Sequence, residues 1–380
     1  MRTEPGLADA LSLACQVVEE VVLDSARDTH LAVVDRVHGL LGPATGMSGT
    51  THRAVAGAVY SGVGVALKAA AWGFGTAAER GAGPLMESGP KSRRVRAIAG
   101  GLIGDRLERE RPRLAIRMAV RAHDADVPLE TDALTEAFPA AAGRVVVFLH
   151  GWCESDEQWR RRRELRGTTY GEELAGDGWT PVLLRANSGL SVRRNGAELA
   201  GLLEGLVDAW PVPVERIALV GHSMGGLVIR AAGAVQGGHR WPDLLTDVVT
   251  LGTPHLGAPL AGGVHRGSGL LGRVPEVAAF GRILDQRAES VADLICGLDE
   301  ECAALPGVRY RLVSATLKAS PKHPVSGFLG DVLVRQPSAY GRDRRGRDLF
   351  PGAEVLHIHG GHFDLLNHEA ISTALRRWLA

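Results

Sequence analysis

The stretch Ile217–Gly226, "IALVGHSMGG", decides how this chain folds. Its first four residues, Ile217–Val220, are typical of a buried strand, and the residues that follow the stretch are typical of a helix. Ser223 lies between them, with Gly221 and Gly225 two positions away on either side. A serine that only caps a helix needs neither glycine. The combination of strand, Gly-x-Ser-x-Gly and helix therefore predicts a nucleophile elbow, a strained turn that exposes the serine hydroxyl.

The composition limits the function classes. The chain has 380 residues, enough for one large or two modest domains, and its 43 basic residues equal its 43 acidic residues. A formal charge of zero argues against nucleic-acid binding, which needs a basic surplus. The four cysteines form no CxxC pair, so we expect no disulfide framework and no zinc ribbon. Acidic residues in the first 22 positions argue against a secretory signal, and we expect a cytoplasmic protein.

Residues 1–111 are expected to form an N-terminal helical region. Apolar residues follow helical spacing there, with a second helix predicted over Thr51–Glu79 and a third over Val95–Arg111. A turn-rich linker, residues 81–96, separates these two helices. The apolar run Ala54–Leu67 is too short to span a bilayer, so it predicts a packed helix or a helix in peripheral contact with a membrane.

Residues 112–380 are expected to form one α/β domain. Alternating apolar residues from Leu114 to Val120, followed by a turn at residues 123–126, predict a β-hairpin. Strands and helices then alternate, which predicts a mostly parallel sheet covered on both faces. Residues 255–302 interrupt this alternation and predict either a lid over a pocket or a surface excursion. The predicted strands are Arg144–Leu149, Pro181–Arg185, Arg216–Val220, Asp247–Gly252, Val308–Ser314 and Ala353–Ile358.

A serine nucleophile needs a base, and the base needs a group that orients it. His362 follows two glycines beyond the last predicted strand, so it is the candidate base. Asp331 lies in a loop after an earlier strand and is the candidate acid. Asp299 and Asp364 compete with it, although Asp364 is too close to the histidines in sequence to lie on another strand end.

The histidines near the C-terminal end allow a second interpretation. His357, His359 and His362 have a spacing that permits a metal site. They lack the accompanying acidic residue of hydrolytic metal motifs, and no second ligand cluster appears in the sequence. We therefore expect no metal and no other cofactor. His368 is expected to begin the final helix.

Two backbone N–H groups are candidates for an oxyanion hole, which stabilises the charge that forms on a substrate oxygen when a serine attacks. In folds with such an elbow, one donor is the residue after the serine, here Met224. The other donor lies in the loop after an earlier strand. Here that strand is Arg144–Leu149, followed by "HGW", and the donor is Trp152.

Five stretches together resemble the lipase/esterase branch of the α/β-hydrolase superfamily: "HGW", "GHSMGG", "LGTPHLGAP", "GDVLVRQPSA" and "GGHFDLLNH". They are similar to bacterial hydrolases related to the GPI-inositol-deacylase-like lipases. The resemblance runs from about Pro112 to the end of the sequence. It implies an α/β-hydrolase fold with Ser223 as nucleophile, Asp331 as acid and His362 as base. Such lipases often read "GDGLVP" around the acid, whereas "VLVRQP" follows Asp331 here.

These observations predict a serine hydrolase that cleaves carboxylic esters through an acyl-enzyme. The apolar insertion favours a hydrophobic or acyl-chain ester, or a lipid, as the substrate. Two alternatives stay open: a thioesterase or acyltransferase on the same fold, and a non-catalytic protein that binds a lipid or a partner. The first 110 residues carry more apolar surface than three helices can hide, so we expect them to pack on the hydrolase domain and help form the acyl pocket.

Overall fold

The structure is a computed structural model. It describes residues 6–23, 26–27, 30–31, 49–82, 89–110, 112–258, 289–298, 301–317, 331, 333–342 and 346–380. Most of the predicted insertion, residues 255–302, therefore lies outside the described residues.

The chain forms an eight-stranded sheet in the order β2-β1-β4-β3-β5-β6-β7-β8. All neighbours from β4 to β8 are parallel, and β1 pairs antiparallel with both β2 and β4. This sheet confirms the predicted fold class. The strands are β1 (Ala119–Ala122), β2 (Ala125–Val127), β3 (Arg144–Leu149), β4 (Thr180–Arg185), β5 (Arg216–His222), β6 (Leu245–Leu251), β7 (Arg309–Thr316) and β8 (Glu354–His359).

Helices precede the sheet, connect its strands and follow its last strand. They are α1 (Leu7–Val17), α2 (Gly49–Glu79), α3 (Pro90–Glu110), α4 (Thr131–Ala137), α5 (Arg163–Arg166), α6 (Tyr170–Gly176), α7 (Val192–Ala209), α8 (Met224–Gly233), α9 (Trp241–Leu244), α10 (Glu289–Cys296), α11 (Gln336–Ala339) and α12 (Glu369–Leu379). A π-helix, Val18–Leu23, continues α1, and short 3₁₀ helices cover Asp156–Arg160 and His362–Leu365.

Two apolar layers cover the faces of the sheet. On one face, α7 and α8 bury residues such as Leu203 and Leu227 against the strands. On the other face, Leu174 of α6 and Trp378 of α12 are buried. Because β3, β5 and β8 run parallel, the residues that follow them meet at one edge of the sheet. That edge carries the candidate site.

The hairpin begins later than its alternation predicted. The strand starts at Ala119, not at Leu114, and the turn lies at His123 and Asp124, which both have positive φ. Leu114, Ala115 and Ile116 are all buried. Three consecutive buried residues do not follow the period of two of a strand, because Leu114 packs with apolar residues of the N-terminal helices instead.

The described residues of the N-terminal region are mainly helical, as predicted, but the helices have different bounds. The second predicted helix differs by two residues from α2. The third was expected from Val95, but α3 begins at Pro90. Proline favours the first turn of a helix, where its missing N–H costs nothing. Helix α2 packs along α1, while α3 contacts the part of the chain that carries the sheet, residues 112–380, which is called the sheet domain below.

Candidate active site

Ser223 occupies a strained turn between β5 and α8. Its backbone angles are φ 52° and ψ −121°. Such a conformation costs a residue with a side chain about 1–3 kcal/mol, so the surrounding structure must impose it. The Ser223 N–H donates to the carbonyl of Leu251, 2.8 Å away on the neighbouring strand β6. This contact holds the turn at the edge of the sheet.

The two elbow glycines lie where a side chain does not fit. A Cβ on Gly221 would lie 2.6 Å from the nitrogen of Gly226, and one on Gly225 would lie 2.4 Å from the carbonyl oxygen of Leu149. The tight turn therefore brings the start of α8 against the ends of β5 and β3. No other residue type allows this approach without a shift of the backbone.

His362 and Asp331 form a buried pair next to this turn. His362 follows β8, and its Nδ1 lies 2.7 Å from Oδ2 of Asp331. The side chains are 3% and 2% exposed. The other carboxylate oxygen of Asp331 accepts the N–H groups of Leu333 and Val334, at 3.0 and 2.7 Å. These bonds fix the orientation of the carboxylate, which in turn orients the imidazole.

The competing carboxylate Asp364 faces elsewhere. It accepts the N–H of Gly361 and pairs with Arg162. The third candidate acid, Asp299, lies outside the described residues.

The environment of His362 raises the pKa of its imidazole above the usual value of 6.5. Burial alone would lower this pKa, because it disfavours the charged form. The carboxylates of Asp331 and, more weakly, Glu154 more than offset the burial. A histidine in this setting is a stronger base than an exposed one.

Ser223 and His362 line one cavity at the carboxyl edge of the sheet. Among the described residues, no hydrogen bond joins the Ser223 hydroxyl to the imidazole; catalytic hydrogen bonds of this kind often tighten only in the complex with substrate. The cavity walls are mainly apolar. Leu294 and Ile295 of α10 come from the predicted insertion, and Leu333 and Val334 come from the loop that carries Asp331.

The loop after β3, His150–Cys153, is called the HGW loop below. A Cβ on Gly151 would lie 2.9 Å from the Cβ of Ser223, so the loop passes directly beside the serine. Trp152 lines the same cavity. Met224 follows the serine as the first residue of α8, and the N–H groups of a first helical turn have no acceptor within the helix. The two residues predicted as oxyanion donors therefore lie in segments next to Ser223, and their roles stay a prediction.

Glu154 and His222 are functional candidates that the sequence analysis missed. Oε2 of Glu154 accepts the N–H of Gly151 at 2.7 Å and lies 2.9 Å from Nδ1 of His222. Burial raises the pKa of the Glu154 carboxyl, but His222 and the Gly151 N–H more than offset this, so the pKa lies below its usual value. Nε2 of His222 lies 3.4 Å from the carbonyl oxygen of His362. An acid two positions after "HGW" and a histidine directly before the serine were the available signals.

The three histidines considered for a metal site have different partners. Nε2 of His357 contacts the Thr316 hydroxyl, and Nε2 of His359 contacts the carbonyl of Leu317. His362 contacts Asp331. Within the described part of the chain, no group of three His, Cys, Asp or Glu residues is arranged to hold a metal ion. His368 begins the final helix as predicted, and its ring accepts the N–H of Ala370.

The N-terminal helices contact this site without lining the described cavity. Every described residue of the cavity wall comes from position 152 or later. The contact of these helices is with the HGW loop instead: the indole N–H of Trp152 donates to the carbonyl of Gly101 in α3. The sequence predicts that the N-terminal helices pack on the sheet domain and form part of the pocket. The packing is observed. None of the described residues of the cavity wall belongs to these helices.

The sheet order and the serine turn between β5 and α8 define an α/β-hydrolase fold. Residues 204–266 match the family model described as a PGAP1-like alpha/beta domain. The matched part runs from α7 to the residues after β6 and includes Ser223, so this part of the chain is similar to that family. No curated protein matches the chain significantly.

Solved structures that are similar to this chain include a lipase and two esterases. The mature lipase BlEst2 of Bacillus licheniformis is 21% identical, with a TM-score of 0.45, over 64% of this chain and 93% of that chain. The esterase Pf2001 of Pyrococcus furiosus is 15% identical, with a TM-score of 0.38, over 63% and 83%. The naproxen esterase of Bacillus subtilis is 14% identical, with a TM-score of 0.38, over 62% and 84%. These similarities concern the fold.

Proposed function

We propose that this protein is a serine hydrolase that cleaves carboxylic esters. The observation that carries the proposal is the strained Ser223 at the wall of a cavity shared with His362, whose Nδ1 bonds Asp331. A serine hydroxyl, an imidazole and a carboxylate in this order are the parts that nucleophilic acyl transfer needs.

In the proposed mechanism, Nε2 of His362 takes the hydroxyl proton while Ser223 attacks the ester carbonyl. Asp331 keeps the proton on Nδ1 and stabilises the imidazolium that forms. The backbone N–H groups of Trp152 and Met224 donate to the developing oxyanion. The C–O bond to the alcohol then breaks, His362 returns the proton to the alcohol, and an acyl-enzyme remains. Water, activated by His362, attacks the acyl-enzyme, and the acid leaves as Ser223 regains its proton.

The cavity walls support a hydrophobic ester as the substrate. Leu294, Ile295 and Val334 face the space next to Ser223, and burying an acyl chain against them contributes about 0.8 kcal/mol per methylene. The buried carboxylate of Glu154 at the same wall disfavours an anionic group close to the scissile bond. We propose a neutral ester with an acyl chain. A thioester as donor, or an alcohol instead of water as acceptor, remains an alternative for the same residues.

The test is turnover of p-nitrophenyl esters of increasing chain length, together with labelling by a fluorophosphonate probe. Ser223→Ala serves as the control in both assays. We expect the variant to lose labelling and to lose about 10⁴-fold or more in kcat, because the nucleophile is gone. Labelling of both proteins would contradict Ser223 as the nucleophile. Lipid binding by the wild type with neither labelling nor turnover would favour the non-catalytic alternative.

We also propose that the protein is cytoplasmic and contacts a lipid surface through α2. Within the described residues, Thr50–Glu79 is long and apolar enough to cross a membrane, and only 17% of its most apolar window is buried. Val59, Val65 and Trp72 are 58%, 68% and 76% exposed. Between positions 54 and 78 the sequence holds one charged residue, Lys68, whose long side chain can keep its charge at a lipid headgroup.

Co-sedimentation with vesicles of phosphatidylcholine and phosphatidylglycerol tests this contact. We expect Val65→Asp to reduce the bound fraction of the full chain at least severalfold. Leu165→Asp is the matched control, because Leu165 is 84% exposed but lies on the sheet domain. Equal binding by both variants would contradict the proposal. A concentration-dependent dimer that Val65→Asp abolishes would instead assign this face to a second copy of the chain.

A further inference from the structure

Helix α3 lies directly against the HGW loop, although the contacting residues Gly101 and Trp152 are 51 positions apart in sequence. The indole N–H of Trp152 donates to the carbonyl of Gly101 at 2.9 Å. A Cβ on Gly101 would lie 2.8 Å from the backbone nitrogen of Cys153 and 2.9 Å from its Cα. The helix backbone therefore touches the loop backbone, and only glycine fits at this position of the helix.

A second loop, residues 187–189 after β4, completes the contact. Nδ2 of Asn187 donates to the carbonyl of Gly104 at 3.2 Å. The N–H of Cys153 donates to the hydroxyl of Ser188 at 3.0 Å. Helix α3, the HGW loop and this second loop are thus joined in pairs by hydrogen bonds. A shift of the helix has to move the loop that carries Trp152.

The shape of α3 suits this position. Its residue Ile103 has non-helical angles, φ −138° and ψ 22°, so the helix is kinked there. The kink lies between Gly101 and Gly104, whose carbonyls accept the two side-chain hydrogen bonds. Interruption of the helical ladder lets a carbonyl accept a donor from outside the helix. Five of the eight buried residues of α3 are alanine or glycine: Ala97, Ala99, Gly100, Gly101 and Gly104.

The HGW loop needs such support. Cys153 has φ 58°, in the left-handed region that residues with a side chain adopt at a cost. On its inner side the loop is held by Glu154, which accepts the Gly151 N–H. On its outer side the contacts are those with α3 and with Ser188. An oxyanion donor must lie about 2.7–3.1 Å from the developing charge, so a small displacement of the loop has a large effect on the rate.

We propose that α3 positions the backbone N–H of Trp152 for catalysis and that Gly101 is the positioning residue. The inference rests on the proposed function, since it concerns the oxyanion hole of that reaction. It gives part of the N-terminal region a role in turnover that does not involve the pocket wall.

Gly101→Ala in the full chain tests the inference, with Gly73→Ala as the control. A Cβ on Gly73 has nothing within 4 Å, so the control makes the same change in an N-terminal helix without touching the loop. We expect Gly101→Ala to lower kcat for p-nitrophenyl butyrate about 10- to 100-fold, because the loop must shift. KM should stay within about twofold, because an oxyanion donor acts on the transition state. Gly73→Ala should match the wild type.

The rate is expressed per active site, titrated with the fluorophosphonate, so that partial unfolding does not imitate a slower reaction. Trp152→Phe is the second variant. It keeps the backbone N–H and an aromatic ring but removes the indole N–H, and it leaves α3 unchanged should Gly101→Ala fail to fold. We expect about a tenfold lower kcat. The variant that combines Gly101→Ala and Trp152→Phe should be no slower than Gly101→Ala alone, because both changes disrupt the same contact between α3 and the HGW loop.

Wild-type kcat per site in the folded single variants would overturn the inference while the proposed function stands. A fall in kcat that Gly73→Ala reproduces would overturn it as well. If the wild type shows no turnover that depends on Ser223, the proposed function fails first and this inference fails with it. The Ser223→Ala control separates the two failures.

Discussion

The sheet domain and helix α2 use the same small and apolar residues in opposite ways. In the sheet domain, glycines let backbones touch: a Cβ on Gly225 would lie 2.4 Å from the carbonyl oxygen of Leu149. In α2, a Cβ on Gly57 or Gly62 would meet nothing within 4 Å. Valines follow the same division, since those of β3 are buried and several of α2 are exposed. Composition alone therefore does not separate a tightly packed element from an open one.

Helix α3 belongs with the sheet domain in this comparison, although it lies in the N-terminal region. Its Gly101 has no room for a side chain, as at the serine turn. The change from open to tight packing around glycine therefore falls between α2 and α3. Substitutions in the tightly packed part should therefore have large effects, and a substitution in α2 should have a small one.

Asp331→Asn should have the largest effect, because the proposed proton relay lies entirely in the sheet domain. We expect kcat to fall about 10⁴-fold, since an amide does not hold the imidazole in the required tautomer. Asp364→Asn is the control. Asp364 lies close to His362 in sequence, but its carboxylate pairs with Arg162 and not with the histidine. Ester hydrolysis of both purified variants is the measurement. A comparable loss in Asp364→Asn would mean that the acid is misassigned.

Gly225→Ala should lower both stability and rate. The added methyl group meets backbone atoms of β3, and overpacking of this kind costs about 1–3 kcal/mol. The turn has to open, so Ser223 moves and kcat falls by about 10²-fold or more. Denaturant unfolding and the esterase assay measure the two effects. Unchanged values would show that the elbow has more room than its geometry indicates.

Glu154→Gln should change the pH dependence of the reaction. The base must be neutral, so kcat/KM should rise with pH through a midpoint above 6.5, the side to which the pKa of His362 is shifted. Loss of the Glu154 charge removes one cause of that shift, so the midpoint should move to lower pH. We expect kcat to fall about tenfold, less than the loss of an oxyanion donor costs. A pH profile identical to that of the wild type would contradict a role for Glu154.

Gly57→Ala should have the smallest effect, and it should raise the free energy of unfolding where Gly225→Ala lowers it. Alanine is favoured over glycine inside a helix by about 0.5–1 kcal/mol, and nothing in the structure opposes the added methyl group. We expect the free energy of unfolding to rise by that amount and kcat to stay constant. Thermal and denaturant unfolding provide the measurement. A destabilised variant would place a packed neighbour against α2 and remove its contrast with α3.

Much of the sheet was predictable from sequence. Strand β3 has the predicted bounds, β4 begins one residue earlier than predicted, and β8 is shifted by one residue, because buried parallel strands form short apolar runs between turns. The hairpin was placed too early because Leu114 and Ile116 imitate a strand while packing against helices. Asp331 followed from chain order and from its position after a strand, and the structure brings it to His362.

The sequence by itself determined the eight-stranded α/β fold and the residues that turn at its edge, because strand periodicity and the need for glycine in a tight turn are local properties of the chain. Only the tertiary structure decided that Glu154 bonds His222, 68 positions away, and that α3 contacts the HGW loop. Contacts of this kind depend on how helices pack against loops from distant parts of the chain. Spacing along a single strand or helix does not encode them.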